Sequence, residues 1–389
     1  MDDLLTRGVE NVIPSQEELK KVLTSDKKLN VYLGIDPTTT RIHLGHTVTL
    51  RKLQQFADAG HNVTFLIGDF TALVGDTSDK DSERPILTKE EIEENFKTYK
   101  EQAEKIVDFS KVKIKYNSEW LSKLSLEDMI KLFRDFSLGD FIGRELISKR
   151  MKEGKRVRLD EVIYPVMQGY DSYFLDTDIQ IGGTDQTYNM QAGRKLLKSL
   201  KNKESFIIAV KFPLVGTDGR KMSKSWGNAI WLNDKPFEMY RKIMAVGDDQ
   251  ILNYFNLATN TPVDKIPSRD EIALSPLDIK KGLASTIVSE LHSEGEAKKA
   301  QEEFERVVQK GELPKEIKEV DINDEIVIDE EFLAEMGLAS SKSDAKRLFE
   351  QNGVLLNGEK IKSGKIPTDE TKDIILSVGK KMIKLKRNV

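Results

Sequence analysis

Five short runs rich in β-branched and aromatic residues recur within the first 210 residues, at 29–35, 62–68, 112–116, 178–181 and 205–210, and helical patterns separate them. Strands joined by helix-length connections pair in parallel through crossovers, so the expected fold class is α/β, built on a Rossmann-like parallel sheet. Residues 125–175 are mainly helical in pattern and are expected to form an insertion in the sheet domain, at about 120–175. Downstream, Pro236 suits a first helical turn, and residues 237–310 carry amphipathic helices with little strand signal. A stretch rich in Glu, Asp and Lys, with Pro314 inside it, has the composition of a linker. Beyond it a helix at 341–351 precedes Asn357-Gly358, a hairpin-turn dipeptide between short apolar runs. The expected organisation is a sheet domain at 1–232, an α-helical domain at 233–312, a linker at 313–329 and a small α+β domain at 330–389.

Within the sheet domain, residues 31–53 (VYLGIDPTTTRIHLGHTVTLRKL) run from strand through polar loop into helix and hold His43 and His46, two of the chain's four histidines. The first turn of a helix presents unpaired N–H groups and partial positive charge, which suits an anion such as phosphate. Gly45 lets a ligand approach the backbone, and both histidines can donate to phosphate oxygens. Taken alone, the stretch also fits a surface loop that contains two histidines. A second phosphate candidate follows the last strand, where the loop GTDGRKMSKSWGN carries Lys221, Met222, Ser223 and Lys224. Its lysines and hydroxyls can neutralise charge on a leaving pyrophosphate, although in isolation such a stretch is more often a solvated basic loop.

Composition narrows the chemistry. The absence of cysteine removes disulfides, thiolate metal sites and cysteine nucleophiles, and four histidines leave little for a transition-metal site. Net charge is −4, but from residue 338 onward twelve Lys or Arg face six Asp or Glu, a net of +6 that leaves −10 for the remainder. A basic tail module on an acidic body suits contact with RNA. No run of about 18 apolar residues occurs. The acidic start MDDLLTRGVE lacks the basic and apolar regions of a secretory signal, and a cytoplasmic location is expected.

HLGH after an opening strand and KMSKS after the last one resemble the two signatures of class I aminoacyl-tRNA synthetases. YPVMQGYD at 164–171 and IGGTDQ at 181–186 are similar to the tyrosine-site segments of bacterial-type tyrosyl-tRNA synthetases. SKSDAKRLFEQNGVLLNGEKI resembles the family's C-terminal S4 domain, so the likeness extends over nearly the whole chain. It implies a catalytic domain at 1–232, an anticodon-binding helical domain at 233–312 and an S4-like RNA-binding domain at 330–389. It also implies that Tyr32 and Asp171 hold the substrate phenol, that Asp76, Tyr164 and Gln168 hold its ammonium with support from Asn117, and that Gln186 orients the reacting groups. Gly34, Asp36, Gly183 and Asp185 match ATP-binding positions, together with Gly45, Met222 and Ser223 in the signatures. Thr38, His43, His46, Lys80, Arg84, Lys221 and Lys224 match positions that act on the phosphates during catalysis. Lys342, Lys346 and Arg347 match an RNA-contacting surface, and the basic loop at 149–158 is a candidate contact for the tRNA acceptor stem.

The implied activity is attack of the tyrosine carboxylate on the α-phosphorus of ATP, then transfer of tyrosyl from the adenylate to the terminal adenosine of tRNA(Tyr). Mg2+ is expected to accompany ATP, with no protein-bound metal, and the resemblance implies a homodimer joined through the catalytic domains. One departure follows Asp76, where the chain has TSDK and the family has Pro-Ser-Gly-Lys. Thr77 lacks proline's fixed φ, and Asp79 adds negative charge beside Lys80 and Arg84, changes expected to alter the loop. Three alternatives stand beside this reading: a tryptophanyl-type enzyme of the same class, an HxGH nucleotidyltransferase for a small metabolite, and an inactive synthetase-derived RNA-binding protein.

Overall fold

The computed structural model describes residues 2–38, 40–76, 87–211, 214–223, 226–313, 317–322, 327–365, 374–379 and 381–387. The chain divides into two compact units, Met1–Gln301 and Glu302–Val389.

In the first unit, β1 (Val9–Ile13), β2 (Asn30–Ile35), β3 (Asn62–Ile67), β4 (Val112–Tyr116), β5 (Ile179–Gly183) and β6 (Phe206–Val210) form one sheet in the order β1-β6-β5-β2-β3-β4. Neighbours from β6 to β4 run parallel, whereas β1 lies antiparallel along β6 with Val12 beside Ile208. The expected strands form because their apolar runs are covered on both faces; every residue of β6 is buried. β1 lacks that signal, since only Val12 of its five residues is buried, and an edge position demands little apolar surface.

Chain order reverses at β2, with β3 and β4 laid down on one side and β5 and β6 on the other. Connections leaving in opposite directions open a crevice at the C-terminal ends of β2 and β5. The helix Leu44–Asp58 follows β2 and packs on β2, β3 and β5. Ser15 and Thr88 cap the helices Gln16–Leu23 and Lys89–Ala103 through their side-chain oxygens, as their spacing to Glu18 and Glu91 predicts. The helical insertion between β4 and β5 ends in Leu159–Phe174, which lies against Thr187–Lys201.

The helices Pro236–Met244, Ile251–Ala258 and Pro276–Leu291 fall within the same compact unit as the sheet, not in one of their own. Two arginines, Arg51 buried and Arg7 half-buried, provide the joint. Arg51, on the sheet-packed helix, donates to Asn260 Oδ1 at 2.6 Å and to the Ala258 carbonyl at 2.9 Å, and pairs with Glu290 at 2.8 Å. Arg7 donates to the carbonyls of Phe255, Asn256, Thr259 and Thr261, at the negative end of the Ile251–Ala258 helix.

In the second unit, β7 (Lys318–Ile322), β8 (Val327–Ile328), β9 (Val354–Leu356), β10 (Glu359–Lys360), β11 (Gly364–Lys365), β12 (Ile374–Val378) and β13 (Lys381–Arg387) accompany the helices Glu330–Glu335 and Lys342–Glu350. Five strands align as β10-β9-β12-β13-β7 and two as β11-β8. Residues 313–329, expected as a linker, therefore supply β7, parallel to β13, and β8, paired with β11. Charged neighbours mask the buried Ile322 and Ile328, which join Leu333, Phe349, Leu376 and Leu385 in the core. Asn357 and Gly358 turn the β9–β10 hairpin with φ of 51° and 87°, as their sequence predicts. No helix among the described residues is long and apolar enough to cross a membrane.

Replacing Arg51 with Ala strands the Glu290 carboxylate beside the lost guanidinium. The expected cost is about 3 kcal/mol of unfolding free energy, measured by denaturant titration. A midpoint equal to that of the native chain would show that the Arg51 pair does not join the helices to the sheet.

Candidate functional site

The crevice holds a cavity of about 250 Å³ at the C-terminal ends of β2 and β5. Tyr32, Asp76, Asn117, Tyr164, Gln168, Asp171 and Gln186, the residues expected around an amino acid, all line it. So do Gly34, Asp36, Thr38, His46, Gly183 and Asp185 from the expected nucleotide side.

At the inner end, Tyr32 is buried, with its hydroxyl 2.8 Å from Ser172 Oγ and 3.1 Å from Gln180 Oε1. The Gln180 amide nitrogen donates to the Met190 carbonyl, which fixes its oxygen toward Tyr32. The Tyr32 proton is therefore committed to Gln180, and its oxygen keeps acceptor capacity. Asp171 accepts from Trp120 Nε1 at 2.7 Å and Asn117 Nδ2 at 3.2 Å. Burial raises the Asp171 carboxyl to about 8 against the pull of those two donors, so it holds a proton at neutral pH. A phenol seated here finds an acceptor in Tyr32 and a carboxyl able to donate. Ser172 and Gln180 lie outside the residues expected from sequence. The available signal is a polar residue inside β5, a strand otherwise apolar and buried, which needs a buried partner. Gly193 makes room for both, because a Cβ there would lie 2.6 Å from Gln180 Nε2 and closer still to Ser172 Oγ.

Toward the opening, Tyr164 donates to Asp36 Oδ2 at 2.8 Å and Thr71 to Asp36 Oδ1 at 2.7 Å. Gln186 Nε2 donates to Asp76 Oδ2 at 2.6 Å, and Asn189 reaches the same oxygen at 3.3 Å. Burial, reinforced by Asp36, pushes the Tyr164 phenol well above its ordinary range, so it remains a neutral donor. Two carboxylates and a phenol oxygen together suit a cationic group. Tyr164, Gln168 and Asp171 recur at helical spacing on Leu159–Phe174, so one helix face serves both ends of the cavity.

The histidines differ from the expected anion seat. His43 occupies the N-cap, its Nδ1 accepting from the Gly45 N–H at 3.1 Å, while the His43 N–H donates to His46 Nδ1 at 3.2 Å. The Leu44 N–H goes to the Ile230 carbonyl and the His46 N–H to the His43 carbonyl, each at 2.9 Å. These first-turn donors are engaged because a histidine ring serves as the cap and residues 230–232 run beside 42–44. What the caps fix instead is the tautomer: with both Nδ1 atoms accepting, each neutral ring carries its proton on Nε2. Burial lowers His43 to about 2 and His46 to about 4, with Lys221 contributing to both. The two rings stack at 3.8 Å as uncharged donors.

On the second signature loop, Lys221 is exposed, the buried Met222 donates its N–H to the Leu214 carbonyl, and Ser223 donates its N–H to Asn228 Oδ1. Lys80, Arg84 and Lys224, with Thr77 and Asp79, lie outside the described residues. Two cations of the loop at 149–158 turn inward: Arg150 is buried 2.7 Å from Glu161, and Arg158 lies 3.0 Å from Asp160. Planar guanidinium groups find carboxylates there that match their geometry. In the second unit Lys342, Lys346 and Arg347 are exposed, with Lys342 2.7 Å from Glu331 and Arg347 2.7 Å from Asp344.

The family model for class I tRNA synthetases (W and Y) matches residues 24–309, and that for the S4 domain matches 330–371. The tyrosine–tRNA ligase of Thermotoga maritima is 42% identical over 384 residues, covering 97% of this chain and 95% of its own length. Tyrosine–tRNA ligase 2 of Vibrio cholerae is 43% identical over 366 residues, 93% of this chain and 92% of its own. Among solved structures, tyrosyl-tRNA synthetase from Archaeoglobus fulgidus complexed with L-tyrosine aligns with a TM-score of 0.59 at 28% identity, over 77% of this chain and 98% of that one. A C-terminally truncated mitochondrial tyrosyl-tRNA synthetase of Aspergillus nidulans shares the fold with a TM-score of 0.65 at 23% identity, over 79% of this chain and 93% of its own.

Asp171 titrates near 8 when folded against 3.8 for an ordinary carboxyl, so its contribution to stability is fully present below pH 3.8 and is lost as pH rises through 8. Asp171→Asn removes that dependence. Relative to the variant, the native chain should lose more than about 1 kcal/mol of unfolding free energy from pH 4 to pH 8. A difference that stays flat across this range would mean that the buried carboxyl is already ionised.

Proposed function

The chain belongs to the class I tRNA synthetases of the tryptophan and tyrosine family, and from that premise we propose that it is a tyrosine–tRNA ligase. The observation that carries this reading is that Tyr32 and Asp171 both line the inner end of the cavity, where a phenol O–H can both donate and accept. An indole N–H can only donate, and a phenyl ring does neither, so either substrate leaves buried polar groups unpaired. Asp76, Tyr164 and Gln168 take the tyrosine ammonium, Asn117 steadies Asp171, and Gln186 orients the carboxylate.

ATP lies toward Gly34, Asp36, Gly183 and Asp185 and enters with Mg2+, which its phosphates and water hold. The tyrosine carboxylate attacks the α-phosphorus, forming one P–O bond as the bond to the leaving pyrophosphate breaks. Thr38 and the Nε2–H groups of His43 and His46 donate to oxygens that gain charge; Gly45 supports His43 through its backbone N–H, and Met222 and Ser223 belong to the second phosphate loop. Lys80, Arg84, Lys221 and Lys224 meet the departing pyrophosphate. No side chain forms a covalent intermediate, so the rate comes from alignment and charge stabilisation. The 2′- or 3′-hydroxyl of the tRNA terminal adenosine then takes the tyrosyl group and releases AMP.

In this reading residues 1–232 perform the chemistry, 233–312 meet the anticodon, and 330–389 hold the tRNA backbone through Lys342, Lys346 and Arg347. The exposed Leu126, Leu138 and Leu159, at 75%, 63% and 73%, support a homodimer formed through the insertion.

Purified protein given ATP, tyrosine and tRNA(Tyr) should form tyrosyl-tRNA, and pyrophosphate exchange should depend on tyrosine. Exchange driven by tryptophan alone would overturn the assignment. Tyr32→Phe should lower the preference for tyrosine over phenylalanine by about tenfold. His43→Ala should slow adenylate formation by about 10²-fold with little change in the KM for tyrosine. If both variants altered tyrosine binding alone, the histidines would not serve the phosphates.

A further inference from the structure

The N-cap of the Leu159–Phe174 helix is Arg158. Ser, Thr, Asp and Asn are preferred there because their oxygens accept first-turn N–H groups, whereas a cation opposes the positive end of the helix dipole. Capping therefore does not explain this residue. Its side chain is only 11% exposed and folds back into the protein, with Nε 3.0 Å from Asp160 Oδ1 and 3.8 Å from Glu161 Oε1. Nη2 donates across 84 residues of sequence to the Val74 carbonyl, at 3.2 Å.

Val74 lies two residues before Asp76. The turn there closes on Thr71, whose carbonyl accepts the N–H groups of Val74 and Gly75, and it passes through Gly75 at φ 73°. A backbone at positive φ, held by a glycine, has little stiffness of its own. Gln186 and Asn189 fix the Asp76 carboxylate from the Thr187–Lys201 side. Arg158 ties the backbone of the same turn to the opposite helix. The anchor at its other end is rigid, because Glu161 is fully buried against Arg150 in a two-point contact at 2.7 and 3.4 Å. Residues 158, 161, 164, 168 and 171 recur at helical spacing, so the anchor stands on the face that presents Tyr164 and Gln168.

We infer that Arg158 is a positioning residue for substrate selection, its guanidinium setting the distance between Asp76 and the Tyr164–Gln168 face, and hence the seat of the substrate ammonium. The inference rests on the tyrosine-ligase reading above and adds to it a residue that touches no substrate. It makes an unusual prediction, that a better helix cap gives a poorer enzyme.

Arg158→Ser installs a preferred cap and removes the tether. Its unfolding midpoint should fall only modestly, because the new cap offsets part of the lost contacts, while the KM for tyrosine in pyrophosphate exchange rises about tenfold, the effect of one lost hydrogen bond on alignment. Inhibition by 3-(4-hydroxyphenyl)propionate, which keeps the phenol and carboxylate but has no amino group, should stay within twofold. Arg158→Lys, which still reaches the Val74 carbonyl with an N–H donor, should recover most of the tyrosine affinity. If the serine variant does not fold, Arg158→Gln carries the same comparison of the two ligands. Equal weakening of tyrosine and the propionate, or an unchanged KM for tyrosine, overturns the inference. Absence of tyrosine-dependent exchange in the native chain overturns the ligase reading and this inference with it, and that outcome is distinct from a variant that behaves as the native chain does.

Discussion

Where chain order turns back at β2, neighbouring strands send their connections to opposite faces of the sheet, and the space between them is what the candidate site occupies. The register of that sheet then does local chemistry. Tyr32 on β2 stands directly beside Gln180 on β5, so the hydrogen bond that commits the tyrosine proton follows from strand pairing and not from any loop. Gly34 and Asp36 leave the end of the same strand, and Gly183, Asp185 and Gln186 leave the end of β5. Two parallel strands thus supply the floor of the cavity, and the face of one helix supplies its wall.

The electrostatic layout separates two tasks. Asp171 at the inner end of the cavity and the two histidines at the start of the Leu44–Asp58 helix are neutral near pH 7, the first protonated and the others stripped of charge by burial. Their hydrogen bonds discriminate by geometry, in surroundings where an unpaired polar group is costly. Fixed positive charge lies instead on the loop bearing Lys221, which is open to solvent. A lysine in water loses little on moving toward a phosphate, whereas a buried imidazolium would first have to meet its desolvation cost.

The sequence is legible where a single residue type has a single physical use. The apolar strands, the Ser15 and Thr88 caps and the Asn357-Gly358 turn all follow from local rules that tertiary contacts reinforce. It is less legible where a contact joins distant segments. β1 and β7 form because a partner strand completes them, and neither shows an uninterrupted apolar run. The cavity residues Tyr32 and Asp171 come from family resemblance, but their partners Ser172, Gln180 and Trp120 emerge only once helix and strand meet. The HLGH turn illustrates the same limit: the motif predicts first-turn donors, but the Ile230 carbonyl that takes one of them lies far along the chain.

Gly193 carries an evolutionary corollary. With no side chain at that position, the helix backbone itself forms the surface against which Ser172 and Gln180 rest, and any larger residue displaces both. The inner wall of the cavity therefore has no side chain there that could be trimmed to enlarge it. A lineage drifting toward a bulkier or less polar amino acid would have to exchange Tyr32, Asp171 and their partners as a set, since each single step leaves a buried dipole without a mate. A change of amino acid on this scaffold therefore calls for several substitutions made together rather than one at a time.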